Sequence, residues 1–127
     1  MADPMTVELV AADRTVWTGE ADMVIARTAD GEIGVLPNHS PVLGVLVEGA
    51  VQIRQADGPV LAAAVHGGFL SITPETVTVL AEFAELSEEI DVSRARNALN
   101  RADTSEPEGA AAAKRAQVRL RAAGAAE

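Results

Sequence analysis

The sequence predicts an α+β protein, mainly β, in which an N-terminal antiparallel β-sandwich is followed by a C-terminal antiparallel hairpin of two helices. Up to about residue 84, short apolar segments alternate with turn signals, as is typical of sandwiches and barrels. After Leu86, apolar residues recur with helical spacing instead. The charge changes there too: residues 1–90 carry 14 acidic and 3 basic groups, and residues 91–127 carry 5 and 7. We therefore expect a β-sandwich domain at 1–86 and a helical hairpin at 87–127.

The strand segments are recognised by alternating or β-branched apolar residues between turn residues. Asp30-Gly31 and the run Asp57-Gly58-Pro59 are typical hairpin turn sequences. No helical segment separates the strands, so a parallel sheet is not expected. The predicted strands are TVELVAA (6–12), TVWTG (15–19), MVIART (23–28), VQIRQ (51–55), VLAAAV (60–65), FLSI (69–72) and VTVLAEF (77–83).

The segment GEIGVLPNHSPVL (31–43) fits neither a helix nor an ordinary surface loop. Pro37 and Pro41 lack a backbone N–H, so we expect the segment to cross the sheet edge without continuing a ladder. Its aliphatic residues then have to be covered by the core or by a partner.

The first helix is predicted to start at Ser87, with Val92, Ala95, Leu99 and Ala102 on one face. Residues 103–105 interrupt this pattern. Residues 105–108 then form a candidate capping box, with proline in the first turn of a second helix. Gly124 is the expected C-cap of that helix.

Val118 and Leu120 are the only large apolar residues of the second helix, and the rest of its apolar surface is alanine. Fully burying one such side chain contributes about 1.5–3 kcal/mol. Docking of this helix is therefore weak enough for a ligand or a partner to shift it. The alternative is that the alanine-rich tail is simply frayed.

Composition excludes several functional classes. The chain has no cysteine and a formal net charge of −9, which rules out disulfides and thiolate metal sites and argues against nucleic acid as a partner. The apolar runs are too short to insert in a membrane, and the N-terminus lacks the basic and apolar regions of a signal peptide.

Four motifs occur in order along the chain: GEIGVLPNHSPVL (31–43), HGGFLSI (66–72), VTVLAE (77–82) and IDVSRA (90–95). In this order, and with a β domain before a helical hairpin, they resemble the epsilon subunit of bacterial F-type ATP synthases. Each motif is weak by itself, but together they cover almost the whole chain.

The resemblance implies a non-catalytic rotor subunit of the central stalk. Its β domain would bind the gamma subunit and touch the polar loops of the c-ring. Its hairpin would either fold onto the β domain or extend toward the alpha and beta subunits and inhibit ATP hydrolysis. The protein would then be peripheral, on the cytoplasmic face of the bacterial cell membrane, as part of the synthase.

The resemblance also implies a regulatory ATP site, although no cofactor is required. In some family members the folded hairpin binds ATP through an acidic residue, an Ile-Asp-x-x-Arg-Ala motif and further arginines. From the residues alone, the arginines are either a solvated basic face or a cluster that needs an anion between its members. The matching residues here are Glu85, Ile90, Asp91, Arg94, Ala95, Arg101, Arg115 and Arg119.

Glu32, His39 and Pro41 are the candidate partner contacts. Glu32 is either a solvated turn residue or, by the resemblance, a contact to the c-ring. For His39 we find no adjacent nucleophile or second titrating group, so a packed or gamma-contacting histidine is favoured over a general base. His66 is interpreted in the same way. Two histidines make a poor metal site, and the carboxylates show no ligand spacing.

Two other functions are considered. A hydrolase would need a convergent acid, base and nucleophile, and the sequence offers only scattered hydroxyls and two distant histidines. A free-standing β-sandwich protein-binding module, unrelated to ATP synthase, remains the main alternative. Sandwiches that bind sugars or nucleic acids usually expose aromatic residues, and this chain has only Trp17, Phe69 and Phe83.

Overall fold

The computed structural model describes residues 4–125, which form nine strands, a short 3-10 turn and two helices. The elements are β1 Met5–Ala11, β2 Arg14–Thr28, β3 Gly31–Val35, β4 Val42–Leu46, β5 Gly49–Gln55, β6 Val60–Val65, β7 Gly68–Ile72, β8 Thr76–Ala81, β9 Ala84–Leu86, the 3-10 turn Ser87–Glu89, α1 Val92–Arg101 and α2 Pro107–Ala125. The β-sandwich followed by two helices confirms the predicted α+β fold class.

The strands lie in the order β1-β8-β7-β4-β2-β5-β6-β9, with β3 paired to β2 and β1 paired to both β8 and β2. All pairs are antiparallel except β1–β8, which is parallel from Thr6↔Thr76 onward. The sheet is therefore not a parallel one, as predicted, although it contains this one parallel pair. Strands distant in sequence meet where the sandwich closes, and no crossover helix is needed.

Strand β2 is a single strand of 15 residues, and the prediction of two strands at 15–19 and 23–28 was wrong. Its first half pairs with β1 and its second half with β5 and β3. The pairing with β5 shifts register between Ala21 and Met23. The gap between the two predicted segments is therefore an irregularity in the β2–β5 ladder. It allows one long strand to pair with β1 at one end and with β5 and β3 at the other.

The segment at 31–43 contains two strands, contrary to the expectation that it would not continue a ladder. Residues 31–35 pair with β2, and β4 begins at Val42 and pairs with β7. Pro37 and Pro41 are confined to the connection between these strands, where no ladder hydrogen bond is lost. Gly31 has φ +121° and Asn38 has φ 68°, so the chain turns sharply at both places.

An aliphatic core lies inside the sandwich. Its largest fully buried side chains are Leu9, Ile53, Leu70, Ile72 and seven valines. Backbones also approach closely at Gly68, which has φ +131°, and a Cβ there would lie 2.0 Å from the carbonyl oxygen of Leu80. Only glycine fits the start of β7.

The helices start and end differently from the prediction. Ser87 begins the 3-10 turn, whereas α1 begins after Asp91, whose side chain accepts from the Arg94 N–H. The predicted capping box is not formed, because the Ser105 hydroxyl donates to Asp103 Oδ1. Helix α2 continues to Ala125, so Gly124 is not its C-cap.

The hairpin packs on the β domain through small side chains. Helix α2 lies against β5 and β6. A separate apolar cluster joins the two parts and consists of Ala64, Ile90, Val118 and Ala122, with Ala50 and Ala123 at its edge. No helix of residues 4–125 is long and apolar enough to cross a membrane.

Candidate functional site

A cleft of 540 Å³ lies where α1, α2 and the end of the β domain meet. We call it the hairpin cleft. It exists because the hairpin is folded down, since its walls come from both helices and from β9 and the 3-10 turn. It is lined by Phe83, Glu85, Glu89, Asp91, Arg94, Ala95, Ala98, Arg101, Ala112, Arg115 and Arg119.

Helix α1 supplies the Asp91, Arg94 and Arg101 side of the cleft. Asp91 is the N-cap, and its Oδ1 accepts from the Arg94 N–H at 3.0 Å. The Arg101 Nε donates to the carbonyl of Asn97 at 3.3 Å. Ala95, on the same helix, is buried. This side of the cleft therefore consists of two arginines with a small residue between them in the sequence.

Helix α2 supplies Arg115 and Arg119, four residues apart and therefore on one face. The Arg119 Nε donates to Glu85 Oε1 at 2.5 Å. The guanidinium carbon of Arg119 lies 5.9 Å from the centre of the Phe83 ring, within cation–π range. Arg119 thus links α2 to the β domain by an ion pair. Within the described residues, Arg115 forms no ion pair with the β domain.

The carboxylates of the cleft are largely engaged already. Glu89 accepts from Arg14 NH2 at 3.0 and 3.1 Å and from the Leu86 N–H at 3.0 Å. The Arg14 hydrogen bond, followed by that of Leu86, holds the pKa of Glu89 below its usual range. Glu85 is held by Arg119, and Asp91 caps α1.

Three arginines are left without an acidic partner. Within residues 4–125, no carboxylate lies within ion-pairing distance of Arg94, Arg101 or Arg115. Like charges around one cleft repel each other, and an anion with several oxygens would relieve this repulsion. The arrangement is suited to a phosphate-bearing ligand.

Seven of the eight residues proposed from the sequence for an ATP site line this cleft. The exception is Ile90, which is buried under the hairpin in the cluster with Ala64, Val118 and Ala122. The analysis of the sequence missed Phe83, Glu89, Ala98 and Ala112. Phe83 follows β8 and reads there as a strand residue. The small residues Ala98 and Ala112 carry no signal of their own.

The candidate partner contacts lie on or next to the strands of the 31–43 segment, away from the cleft. Glu32 lies on β3, whereas His39 and Pro41 lie in the connection to β4, and Pro41 is exposed. The His39 Nδ1 is 2.7 Å from the carbonyl oxygen of Ser40, so within the described residues the side chain of this partly exposed histidine has only a local hydrogen bond.

An apolar row crosses the outer face of the sheet nearby. Val45 is opposite Phe69, and Phe69 is opposite Leu80, in adjacent strands β4, β7 and β8. These three side chains, which we call the outer row, are 53%, 53% and 47% exposed. Leu43 on β4 is 76% exposed. Contiguous apolar exposure of this kind marks a contact surface.

Within residues 4–125 there is no group of three or more His, Asp or Glu side chains that could hold a metal ion.

Residues 4–87 match the family model described as ATP synthase, Delta/Epsilon chain, beta-sandwich domain. The ATP synthase epsilon chain of Streptomyces griseus is 56% identical over 122 residues, covering 96% of this chain and 97% of that protein. That of Streptomyces coelicolor is 57% identical over 124 residues, covering 97% and 98%. That of Rhodococcus opacus is 60% identical over 96 residues, covering 75% and 79%.

Two solved structures share the fold. A chain in the cryo-EM structure of the Euglena gracilis mitochondrial ATP synthase (OSCP/F1/c-ring, rotational state 1) aligns with a TM-score of 0.73 and 23% identity, covering 94% of this chain and 77% of that one. A chain in the Tetrahymena thermophila mitochondrial ATP synthase central stalk/c-ring structure aligns with a TM-score of 0.58 and 18% identity, covering 98% and 96%.

Proposed function

The chain belongs to the ATP synthase epsilon chain family, and from this premise we propose that it is a non-catalytic subunit of the synthase rotor whose hairpin senses ATP and restrains ATP hydrolysis. Membership of the family overturns the alternative of a β-sandwich module unrelated to ATP synthase. The observation that carries the ATP-sensing part is the hairpin cleft, which is lined by three arginines that have no carboxylate partner within residues 4–125.

ATP is the ligand that the cleft fits by charge and size. Arg94, Arg101 and Arg115 supply guanidinium donors for the phosphates, and each charge-assisted hydrogen bond of this type contributes about 1.5–3 kcal/mol. Phe83 provides an aromatic surface for a base, and the cleft has a volume of 540 Å³. A ligand bound between both helices and the β domain stabilises the folded-down hairpin by mass action.

The outer row is the proposed contact with the gamma subunit. Val45, Phe69 and Leu80 form a contiguous apolar surface that a stalk subunit would cover. His39 and Pro41, in the neighbouring connection, are proposed to extend this contact. Glu32, an acidic residue on β3, is proposed to meet the polar loops of the c-ring.

Inhibition is proposed to follow from release of the hairpin. The contact of α2 with the β domain rests mainly on alanines, and α1 and α2 carry most of the chain's basic residues. Once released, the basic hairpin would lie against acidic segments of the alpha and beta subunits and oppose hydrolysis. The protein would then act peripherally, on the cytoplasmic face of the bacterial cell membrane.

Calorimetry with ATP tests the ligand directly. We expect one ATP per chain for the wild type, and a roughly tenfold to hundredfold weaker affinity for Arg115→Ala, because one charge-assisted contact is lost. Arg121→Ala is the matched control, since Arg121 is an exposed arginine of the same helix that does not line the hairpin cleft. Absence of binding at millimolar ATP, or an equal loss in both variants, would contradict the assignment.

Hydrolysis by an alpha–beta–gamma complex from the same source tests the regulatory role. Added full-length chain is expected to lower the rate, and a chain ending at Leu86 is expected to bind without lowering it. Inhibition by both chains would show that the β domain, and not the hairpin, causes the inhibition. Failure of both to bind would contradict the stalk role itself.

A further inference from the structure

His66 is a buried titratable side chain that the proposed nucleotide contacts do not use. It follows β6, its side chain is almost wholly covered, and the residue is 6% exposed. The His66 Nδ1 lies 2.5 Å from Glu48 Oε2, so this nitrogen carries a hydrogen and donates to the carboxylate. The other nitrogen, Nε2, is buried and has no hydrogen-bond partner within the described residues.

The unpartnered nitrogen lies close to Glu85, a residue that lines the hairpin cleft. Its nearest ionic neighbour is Glu85 Oε1, at 3.6 Å. In the neutral ring with hydrogen on Nδ1, Nε2 is an acceptor that faces another acceptor, and no hydrogen bond can form. A second proton on the ring converts Nε2 into a donor to Glu85. The contact between His66 and Glu85 therefore depends on a proton.

The same oxygen of Glu85 accepts from Arg119 Nε at 2.5 Å. Glu48, His66 and Glu85 belong to the β domain, whereas Arg119 arrives on α2. The Phe83 ring lies beside both side chains, since its centre is 5.6 Å from that of the His66 ring and 5.9 Å from the Arg119 guanidinium. Docking of α2 thus places a fixed positive charge beside the carboxylate that a protonated His66 would use.

We propose that His66 is a positioning residue of the hairpin cleft, and that Arg119 and a proton on His66 compete for Glu85. This inference rests on the proposed function, because Glu85 and Arg119 line the proposed nucleotide site. A proton on His66 pulls Glu85 toward the β domain and weakens its hold on α2. The docked hairpin therefore binds the proton less well than the released one, and acidification favours release.

The other charges around His66 act in the same direction or do not change on docking. Lys114 and Arg121 of α2 line a second cleft, of 260 Å³, together with Glu48 and Arg27. Both arrive with the helix and also disfavour a proton on the ring. Arg27 and Glu82, which lies beside Gly67, belong to the β domain and are present in both states.

The fraction of docked hairpin, measured against pH, tests this proposal. The chain has no cysteine, so Ala56→Cys on the β5–β6 turn and Ala110→Cys on α2 allow two labels and an energy-transfer measurement on the full chain. We expect the ratio of docked to released hairpin to fall about tenfold when the pH is lowered from 8 to 5.5. The same fall is expected with and without ATP.

Three variants separate the proposal from other causes. His66→Gln is expected to abolish the pH dependence, and Glu85→Gln is expected to reduce it, because the contribution of Lys114 and Arg121 remains. His39→Gln, which alters the other histidine of the chain, is expected to keep it. Having two variants keeps the test decisive if one fails to fold. A docked fraction that does not change with pH in the wild type, or a wild-type slope in His66→Gln, would overturn the proposal.

The measurements with and without ATP separate this inference from the proposed function. If ATP does not raise the docked fraction at any pH, nucleotide sensing fails while the pH dependence still decides the role of His66. If ATP raises the docked fraction but pH has no effect, the nucleotide site stands and the role of His66 fails.

Discussion

The β domain and the hairpin are both covered by apolar contacts, but the contacts differ in kind. Leu9, Ile53, Leu70 and Ile72 fill the sandwich with branched side chains that are fully buried. The contact of the hairpin with the β domain consists of Ile90, Val118 and several alanines. Burial of apolar area contributes about 25 cal/mol per Å², so the alanine contact stabilises far less than the branched core.

This difference separates a scaffold from a movable part. A core of interlocked branched residues unfolds as one unit. We expect a helix held by alanines, one buried valine and the Arg119–Glu85 ion pair to leave while that core stays intact. The hairpin cleft lies at the junction of the two regions. A ligand that binds both of them there would raise the population of the docked hairpin over that of the released hairpin.

The largest effect is expected in the core. Leu70→Ala should lower the free energy of unfolding by about 2–5 kcal/mol, because it leaves a cavity among fully buried neighbours. Urea unfolding should show this loss as a lower midpoint. Leu43→Ala is the matched control, since this leucine is 76% exposed, and it should change stability by less than about 0.5 kcal/mol.

The next effect concerns the turn of the hairpin. A Cβ at Gly109 would lie 1.9 Å from the carbonyl oxygen of Asp103, whereas a Cβ at Gly124 meets nothing within 4 Å. Gly109→Ala should weaken packing of the two helices by about 1–3 kcal/mol, since the backbones have to separate.

Gly124→Ala should instead strengthen α2 slightly, by up to about 1 kcal/mol, because alanine is the better helix former. Hydrogen exchange of the α2 amides reports both changes. Equal effects of the two substitutions would argue against close approach at the turn.

A smaller effect is expected where α2 meets the β domain. Val118→Ala removes two methyl groups from the only cluster that joins the described hairpin to the sheet face, at a cost of about 1.5 kcal/mol. The loss should appear in exchange of the helical amides and leave the strand amides unchanged. A matching loss in the strands would mean that the two regions unfold together.

The smallest effect concerns pH and the 3-10 turn between the regions. Arg14 holds the pKa of Glu89 below its usual range. The stabilisation from this contact is therefore present above the ordinary glutamate range and is lost as the pH falls through the lower native value. In Arg14→Ala, an NMR titration should show the Glu89 midpoint moving back up. An unchanged midpoint would show that the backbone N–H of Leu86 alone sets it.

The two regions also differ in how far the sequence predicted them. Alternation identified the strands with clear turns, such as β5 and β6, but not β3, β4 or β9. β3 and β4 contain glycine and are separated by a connection with two prolines, and β9 has only three residues. The register irregularity near Asp22 left no signal in composition, so β2 was read as two strands.

For the site, helical spacing and the motif located the arginines, because residues three, four and seven apart share a helix face. Ile90 is buried because its side of the 3-10 turn faces the sheet. The spacing of residues in the sequence does not show which side that is. The contacts of His66 join residues 18 and 19 positions away along the chain. Only the folded sandwich brings these groups together.

The most direct test of the account is native-state hydrogen exchange on the full chain, with and without ATP. We predict that α1 and α2 exchange through an opening of lower free energy than the strands, and that ATP slows exchange in the helices alone. Strands and helices that exchange through a single opening, with no change on adding ATP, would contradict the separation of a fixed β domain from a releasable, nucleotide-sensing hairpin.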